Sequence, residues 1–354
     1  MTEVRVLASG IDSLYASARG ELADGLVVAL TDVRRFSPDA EVPLSLDGGE
    51  PNLLLRRHGW RNYPFWLSSP RYELCIGAPD PFPPVYVQLH AEHIHTVGIG
   101  AAVGDVEAML VRDLFPHGCR VIASRADVFV DEQGWEPERG DFPHFRCRAM
   151  RRRVFEVTRQ EHGYGGRLSG FTFGKGDLVA RIYDKTLECA VTTKSWPELL
   201  WQGRNANRPV WRVEFQFRRP LLEAIGLMGT GDVVRRRQGL WDYGVRWLSL
   251  RAPGGDSNPA RWPVAVEWAQ LAAACIGGSA EPLIRERVRE AELRRLTQGL
   301  VGYASSVEAA NGAHGLGGAL AASVPSVRPY LAERGVAFPE LVAAKRARRL
   351  EAAR

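Results

Sequence analysis

Three short stretches of the sequence alternate charged or phenolic side chains with apolar ones. The stretches are SRADVFVD, LVARIYDK and VWRVEFQFRR, and the side chains that alternate in this way include Arg125, Asp127, Arg181, Tyr183, Lys185, Arg212, Glu214, Gln216 and Arg218. Successive side chains of a β-strand point to opposite faces of the sheet. We therefore predict three strands, each with one polar face and one apolar face, whose polar faces form one surface if the strands pair.

The residue types on this predicted surface suit a site that cuts and rejoins a phosphodiester. Asp127 and Glu214 offer the oxygen ligands that Mg²⁺ or Mn²⁺ prefers, and such an ion polarises a phosphate oxygen. Tyr183 is a nucleophile that can form a covalent bond to phosphorus. The neighbouring cations would grip phosphates and help to lower the pKa of the phenol. The pattern predicts a DNA strand-nicking site with a divalent metal, Mg²⁺ or Mn²⁺, as its cofactor.

The same alternation is also typical of a solvated sheet face. Arg-x-Asp and Arg-x-Glu can be cross-strand ion pairs, and exposed pairs of this kind contribute little to stability. The catalytic interpretation is favoured because the pattern recurs in three stretches, each with a clean apolar face. A sequence-specific DNA-binding protein without catalysis, or a scaffold with no role on DNA, remains an alternative from a different class.

In this order, SRADVFVD, FGKGDLVARIYDK and WRVEFQFRR resemble the replication initiation factor family. Its members are rolling-circle plasmid initiators and related relaxases of integrative conjugative elements. The resemblance covers residues 118–219 and implies that Tyr183 is the nicking nucleophile, with Asp127 and Glu214 supporting the metal. Phosphate-contacting or orienting roles are implied for Arg181, Lys185 and Arg212.

The reaction implied is nicking of one DNA strand at an origin through a 5′-phosphotyrosyl intermediate, which frees a 3′-OH to prime replication. Reversal would rejoin the strand without ATP. A conjugative relaxase would share this chemistry, and the sequence does not separate the two. The turn FGKGD lacks the spacing of a phosphate-binding loop, so we expect a separate host helicase. The expected partner is origin DNA, duplex and single-stranded, and a homodimer is left open.

Other signals concern the metal and the DNA backbone. In HAEHIHTVG, His93 and His95 would share a face of a strand and could bind one ion, as such pairs do in HUH endonucleases; a polar loop is the alternative. Basic runs lie at residues 151–153, 235–237 and 345–349. They suit either a solvated helix face or contacts to phosphates. The expected DNA contacts are Arg125, Arg151, Arg152, Arg153 and Arg218.

Composition sets broad limits on the class of protein. The 354 residues are 45% hydrophobic and 25% charged, with a net charge of +5, which is an ordinary globular composition with a mild basic bias. Five scattered cysteines argue against a disulfide framework and against a cysteine zinc site. The amino-terminal stretch has no apolar signal region, and no segment approaches the length of a membrane span. We expect a cytoplasmic protein without a membrane partner.

The order of predicted elements indicates an α+β fold. We expect a largely antiparallel sheet with helices packed on one face, plus a helical C-terminal region. The predicted strands include GLVVALTDV, residues 104–115 are predicted as a helix, and residues 145–160 as a helix or basic connection. A hairpin is predicted to turn at residues 174–177. The predicted domains are a catalytic domain over 1–251, a linker over 252–262 and a helical region over 263–354, with no internal repeat.

Overall fold

The computed structural model describes residues 3–77, 80–147, 152–157, 167–312 and 314–352. The chain divides into two compact units, the first comprising Met1–Glu223 and Leu227–Glu281, the second Ala224–Gly226 and Pro282–Arg354. All three polar stretches lie in the first unit. The domain division predicted from the sequence stays a prediction.

The first unit is built on a large antiparallel sheet. The strands are β1 (Arg5–Arg19), β2 (Val42–Leu44), β3 (Leu53–Leu55), β4 (Phe65–Ser68), β5 (Tyr72–Ile76), β6 (Val85–Leu89), β7 (Arg120–Gln133), β8 (Phe145–Cys147), β9 (Arg152–Val157), β10 (Arg167–Phe173), β11 (Leu178–Asp184), β12 (Trp211–Arg218) and β13 (Leu248–Leu250). Eleven of these described strands form one sheet in the order β2-β3-β4-β5-β6-β1-β7-β12-β11-β10-β9, and β8 pairs with β13. The predicted α+β class with a large antiparallel sheet is therefore confirmed.

Helices connect the strands and follow them. In the first unit they are α1 (Leu26–Phe36), α2 (Ala91–Val97), α3 (Ile99–Met109), α4 (Lys185–Thr192), α5 (Arg219–Ala224, whose last residue belongs to the second unit), α6 (Thr230–Arg235), α7 (Arg237–Trp247) and α8 (Val266–Ala272). The second unit contains α9 (Glu286–Asn311), α10 (Gly315–Glu333) and α11 (Phe338–Ala352). Within the described ranges, no single helix is long and apolar enough to cross a membrane; the bent pair α2–α3 with its π-helical end passes that test by length and composition only.

The two halves of the large sheet follow the same path. In each half a long central strand, β1 or β7, is followed by a meander that begins at the outer edge and ends beside that central strand, at β6 or β12. Helices come next in both halves. The two central strands pair with each other from Arg5–Gln133 to Arg19–Arg120. The sequence shows no internal repeat, yet the strand order repeats.

The apolar face of β12 is covered by aromatic side chains. The ring of Trp241 on α7 lies edge-on to Phe215, with 5.5 Å between centroids, and Tyr243 meets Phe217 in the same way. A Cβ atom at Gly244 would lie 2.5 Å from the ring of Phe215, so only glycine allows α7 to approach the sheet this closely. The aromatic residues of GLWDYGVRW therefore serve the core, since Trp241 is fully buried.

Two predicted elements are wrong in type. GLVVALTDV, predicted as a strand, is part of helix α1, in which Leu30 is buried and Val28 is exposed. Valine-rich composition favours strands only where a sheet position is available, and tertiary context overrides it here. The stretch predicted as a helix or basic connection over 145–160 instead contains β8 and β9, which pair with β13 and β10.

The second unit is a set of long helices. Helices α9 and α10 pack together, with Ala304 and Ala319 buried. Gly312 follows α9 as its C-cap in a left-handed conformation with a φ of 65°. The stretch NGAHGLGGALAAS contains the end of α9 and the beginning of α10. Small residues allow two helices to approach closely.

Candidate active site

The three polar stretches occupy neighbouring strands in the order β7-β12-β11. Directly opposed residues share a face of the sheet, and the pairs include Arg181 with Glu214, Tyr183 with Arg212, Asp127 with Gln216, and Arg125 with Arg218. We call this surface the polar face; its members on β7, β11 and β12 are Arg125, Asp127, Phe129, Asp131, Val179, Arg181, Tyr183, Arg212, Glu214, Gln216 and Arg218. The structure thus brings the polar residues of the three stretches onto one surface, except for Lys185.

Tyr183 and Glu214 are joined at the centre of the polar face. The Tyr183 hydroxyl donates a hydrogen bond of 3.2 Å to Oε2 of Glu214, and Nη1 of Arg181 lies 3.7 Å from Oε1 of the same carboxyl. Glu214 is only 4% exposed. Burial, together with the charges of Asp127 and Asp12, raises the pKa of Glu214 to about 7. This carboxyl can therefore change protonation state near neutral pH while it touches the phenol.

The pKa of the Tyr183 hydroxyl moves in the direction opposite to the one expected. Burial, reinforced by the Glu214 charge, raises it well above the usual range, and the nearby Arg212 offsets only part of this. The expectation that the surrounding cations lower the pKa of this phenol is wrong for this arrangement, because the side chain is largely enclosed. Deprotonation of Tyr183 requires a proton acceptor at the site, and Glu214 is in contact.

Asp127 is buried beside Arg125. It is 2% exposed and accepts bonds from Nε (2.8 Å) and Nη2 (2.5 Å) of Arg125. Burial raises the pKa of Asp127, although the Arg125 guanidinium opposes this shift. The same guanidinium lies 4.6 Å from the ring centre of Tyr15 on β1. Arg125, predicted to contact DNA, therefore forms its bidentate hydrogen bonds with Asp127 in this structure.

Arg212 is completely buried beneath the polar face. Its Nε and Nη2 donate to Asp131 at 2.6 and 2.8 Å, its Nη1 donates to Asp12, and its guanidinium lies 3.8 Å from the ring centre of Phe129. Direct phosphate contact does not suit a side chain with no exposed surface. Of the two roles implied by the resemblance, the arrangement favours the orienting one.

Asp12 is a site residue that the sequence pattern did not reveal. It lies on β1 between Ile11 and Ser13, where the pairing with β7 shifts register, and its side chain is 20% exposed. Burial opposes its ionisation, yet Arg212 and other cations hold the pKa of Asp12 below its usual value. Strict alternation fails at a register shift. The available signal was a lone Asp in the otherwise uncharged ASGIDSLYAS.

In this structure Asp127 and Glu214, the predicted metal ligands, are not arranged as a complete metal site. Besides burial, the negative charges of Asp127 and Asp12 raise the pKa of Glu214, and the charge of Asp12 raises the pKa of Asp127. Within the described ranges, however, no group of three His, Cys, Asp or Glu side chains is arranged to hold a metal ion. The carboxylates are instead engaged by Arg125, Arg181 and Arg212. The divalent cofactor therefore stays a prediction.

Lys185 does not lie on the strand that the sequence predicted for it. Strand β11 ends at Asp184, whose carboxylate accepts a bond from the backbone N–H of Leu187 and caps α4. Lys185 is the first residue of that helix, is buried, and pairs with Glu188. Its ammonium still lies 5.6 Å from the ring centre of Tyr183. The Lys185 side chain thus approaches Tyr183 from the helix rather than from the strand.

The other predicted DNA contacts differ in how free they are. Arg152 donates to the carbonyl oxygens of Phe145 and Cys147, which holds it against β8. Arg153 is exposed on β9. Arg218 is exposed and donates to Oε1 of Gln216. Arg151 lies outside the described residues.

The two histidines of the competing interpretation lie on helix α2, so the prediction of a strand is wrong for them. Residues two apart on a helix do not share a face. His95 packs edge-on to Phe129 at 5.4 Å and stacks on Trp196 at 5.9 Å, and burial lowers its pKa. The arrangement does not unite His93 with His95 as ligands of one ion.

Comparisons with known proteins show a likeness to solved structures. No family model matches the sequence, and no curated protein matches it. Among solved structures, the chain is similar to a rolling circle replication initiator protein from Geobacillus stearothermophilus, with 17% identity and a TM-score of 0.47. The match covers 79% of this chain and 100% of that chain. A likeness at this level assigns no activity to this chain.

Proposed function

We propose that this protein nicks and rejoins one DNA strand at an origin, with Tyr183 as the nucleophile, and so acts as a rolling-circle replication initiator. The observation that carries the proposal is the hydrogen bond between the Tyr183 hydroxyl and the buried Glu214 carboxyl, beside the exposed cation Arg181. A phenol next to a carboxyl with a pKa near neutrality is the arrangement of a nucleophile with its base.

In the proposed reaction, the ionised Glu214 carboxylate accepts the phenolic proton as the Tyr183 oxygen attacks phosphorus. The new bond is a phosphotyrosyl ester to the 5′ side of the strand, and the bond to the preceding 3′ oxygen breaks. The leaving 3′ oxygen takes up a proton from solvent and becomes a free 3′-OH, and Glu214 returns the proton that it accepted to solvent. The exposed Arg181, 46% accessible, contacts the phosphate oxygens. Attack by a 3′-OH on the phosphotyrosyl bond reverses these steps and needs no ATP.

The metal and the partners belong to the same proposal. A divalent ion, Mg²⁺ or Mn²⁺, would stabilise charge on the phosphate if bound near Asp127 and Glu214. Origin DNA is the substrate, a host helicase would open the duplex, and a homodimer is one alternative for the assembly. A conjugative relaxase would have the same site, and only its DNA target would differ.

The test is a nicking assay on supercoiled DNA that carries the origin region of the protein's own replicon. Wild type, Tyr183→Phe and Tyr15→Phe are compared with Mg²⁺, with Mn²⁺ and with EDTA. Tyr15 is a matched control because it lies on the same face of the sheet, opposite Arg125. Protease treatment then shows whether a peptide remains on the DNA. We expect a nick and a 5′ peptide adduct from wild type and Tyr15→Phe, and neither from Tyr183→Phe.

Two results would contradict the proposal in different ways. Nicking by Tyr183→Phe at the wild-type rate would leave Tyr183 a structural residue. Tight origin binding by wild type, with no nick under any metal condition, would leave a non-catalytic DNA-binding protein whose acids serve only in ion pairs. A nick that persists in EDTA would contradict the proposed metal requirement but not the role of Tyr183 as nucleophile.

A further inference from the structure

Two pockets meet at the edge of the polar face next to Tyr183. The first has a volume of about 410 Å³ and the second about 420 Å³. They share three lining residues, Phe155, Thr172 and Arg181, so they adjoin. Pockets of this size hold small molecules or parts of them. Only the second pocket includes Tyr183 in its wall.

The first pocket, which we call the cationic pocket, is lined by donors. Four cations surround it: Arg153, Lys175, Arg181 and Arg218. No carboxylate is found among its described lining residues. A cluster of positive charge with one open side attracts an anion, and guanidinium groups match the geometry of phosphate oxygens.

Gln216 adds a second, independent indication of a ligand in the cationic pocket. It is 1% exposed, and its Oε1 accepts bonds of 3.2 and 3.1 Å from Arg218, which fixes the orientation of the amide. Its Nε2 is buried without a hydrogen-bond partner among the described residues. A buried donor left without a partner destabilises the protein unless something binds it. An oxygen atom of a bound phosphate would satisfy it.

The second pocket, which we call the apolar pocket, has walls of a different kind. Phe155 on β9 is 44% exposed, and Val191 on α4 is 75% exposed. Leu187 and the ring of Tyr183 line the same space. Its acids are engaged, since Asp184 caps α4 and Glu188 pairs with Lys185. Exposed apolar walls of this type suit the flat face of a nucleobase, which stacks on aromatic side chains.

We propose that the two pockets together bind one nucleotide of single-stranded DNA, with its phosphate in the cationic pocket and its base in the apolar pocket. This inference rests on the proposed function, because it places the nucleotide next to the phosphate that Tyr183 attacks. A base that enters the apolar pocket has left its duplex stack, so the ligand is a single strand. The site adds Lys175, Gln216, Phe155 and Val191 to the residues that hold substrate.

Binding of a fluorescein-labelled ten-residue oligothymidylate, followed by anisotropy in EDTA, tests this inference without any need for nicking. Lys175→Glu is compared with Lys194→Glu, and Phe155→Ala with Val28→Ala; both control positions are exposed and line neither pocket. We expect about tenfold weaker binding for each pocket variant than for its control. Lys175→Glu should also flatten the dependence of affinity on salt by roughly the contribution of one phosphate contact.

An abasic strand of the same length separates the two pockets. On this strand Phe155→Ala should bind like wild type, because there is no base to stack, whereas Lys175→Glu should stay weaker. Lys175→Gln and Val191→Ala, at exposed positions, provide second variants, and circular dichroism checks their folding. The inference is overturned if the pocket variants bind like their controls, or if wild type does not bind the oligothymidylate. Binding that follows the expected pattern in a protein that never nicks would overturn the proposed function alone.

Discussion

At the scale of single residues, burial distinguishes the polar face from an ordinary surface of ion pairs. Asp127 and Glu214 are 2% and 4% exposed, although both have arginine neighbours. Exposed ion pairs stay solvated and change the free energy of unfolding little. Burial of charged groups carries a large desolvation penalty, so a buried ion pair is weak evidence of stabilisation. Several buried ionisable groups with shifted pKa values in one place are more typical of a functional site. This favours the catalytic interpretation over the ion-pair alternative.

Away from the site, Glu132 gives a prediction on stability and pH. Glu132 has no exposed surface, its Oε2 accepts a bond from the backbone N–H of Trp135, and burial raises its pKa to about 8. The folded protein therefore holds this proton over a pH range in which the unfolded chain, with a pKa near 4.5, releases it. Stability from this group is greatest below pH 4.5 and is lost as pH rises through 8, at about 1.4 kcal/mol per pH unit at most.

Glu132→Gln removes this titration and should flatten the pH dependence of unfolding between pH 5 and 8. Urea unfolding of wild type and variant at several pH values measures it, with the exposed Glu136→Gln as the control. The variant should gain stability relative to wild type as pH rises. Parallel curves for the two proteins would show that Glu132 is ionised in the folded state.

The face of the sheet on which a residue lies could be predicted from the sequence where polar and apolar residues alternate strictly. It could not be predicted where the alternation breaks. Tyr183, Asp127 and Glu214 could be placed on one surface because each lies in a regular strand with an apolar reverse face. Asp12 could not, because a register shift in β1 breaks the alternation. The burial of Arg212 against Asp131 could not be read either, since it depends on which strands are neighbours.

At the scale of elements, the hairpin β10–β11 positions Tyr183. Gly170 lies opposite Tyr183 in the register of the hairpin. A Cβ atom there would lie 2.4 Å from the carbonyl oxygen of Ile182 and 2.9 Å from Cβ of Tyr183. The Ile182 carbonyl oxygen belongs to the backbone and Tyr183 Cβ is bonded directly to it, so neither atom can move without a shift of strand β11. The glycine thus sets how closely β10 approaches Tyr183.

Gly170→Ala should therefore displace Tyr183. We expect a loss of about 1–3 kcal/mol in the free energy of unfolding, and a loss of nicking rate that reaches about a hundredfold for a displacement near 1 Å. Gly176→Ala, in the turn of the same hairpin and with open space around it, is the matched control. Urea unfolding and single-turnover nicking provide the measurements. Equal behaviour of the two variants would mean that the strand accommodates the methyl group.

Elements were predictable where turn chemistry and periodicity agreed. The turn at residues 174–177 and the strands on either side of it are confirmed. Helix α1 was missed because its valines favour a strand locally, while the sheet has no place for it. The stretch around β8 and β9 was missed because both strands are short and contain arginine, and because β13, the partner of β8, lies far along the chain.

At the scale of the whole molecule, the two halves of the sheet share a path but not a chemistry. On β12, Arg212 and Glu214 lie on the polar face. On β6, the strand beside β1, the side chains on the same face of the sheet include Tyr86 and Gln88, since Gln88 lies opposite Tyr15. Tyr86 is stacked by Trp60 at 5.6 Å instead of facing an acid. The second half therefore carries Asp127, Glu214 and Tyr183, whereas the first half contributes Asp12 from β1. The sequence of the first half shows no sign that its strand order would repeat.

The long pairing of β1 with β7 joins two half-sheets into one sheet, and the two half-sheets are also linked covalently by the segment that precedes β7, which we call the tether. If the tether is cut between residues 117 and 118, each piece keeps one strand of that pair and exposes it as an edge. Residues 1–117 and 118–354, produced together as separate chains, should associate through the pairing of β1 with β7 and co-purify through a tag on either chain. A tagged 118–354 piece that stays soluble without its partner would show that the second half folds as an independent molecule.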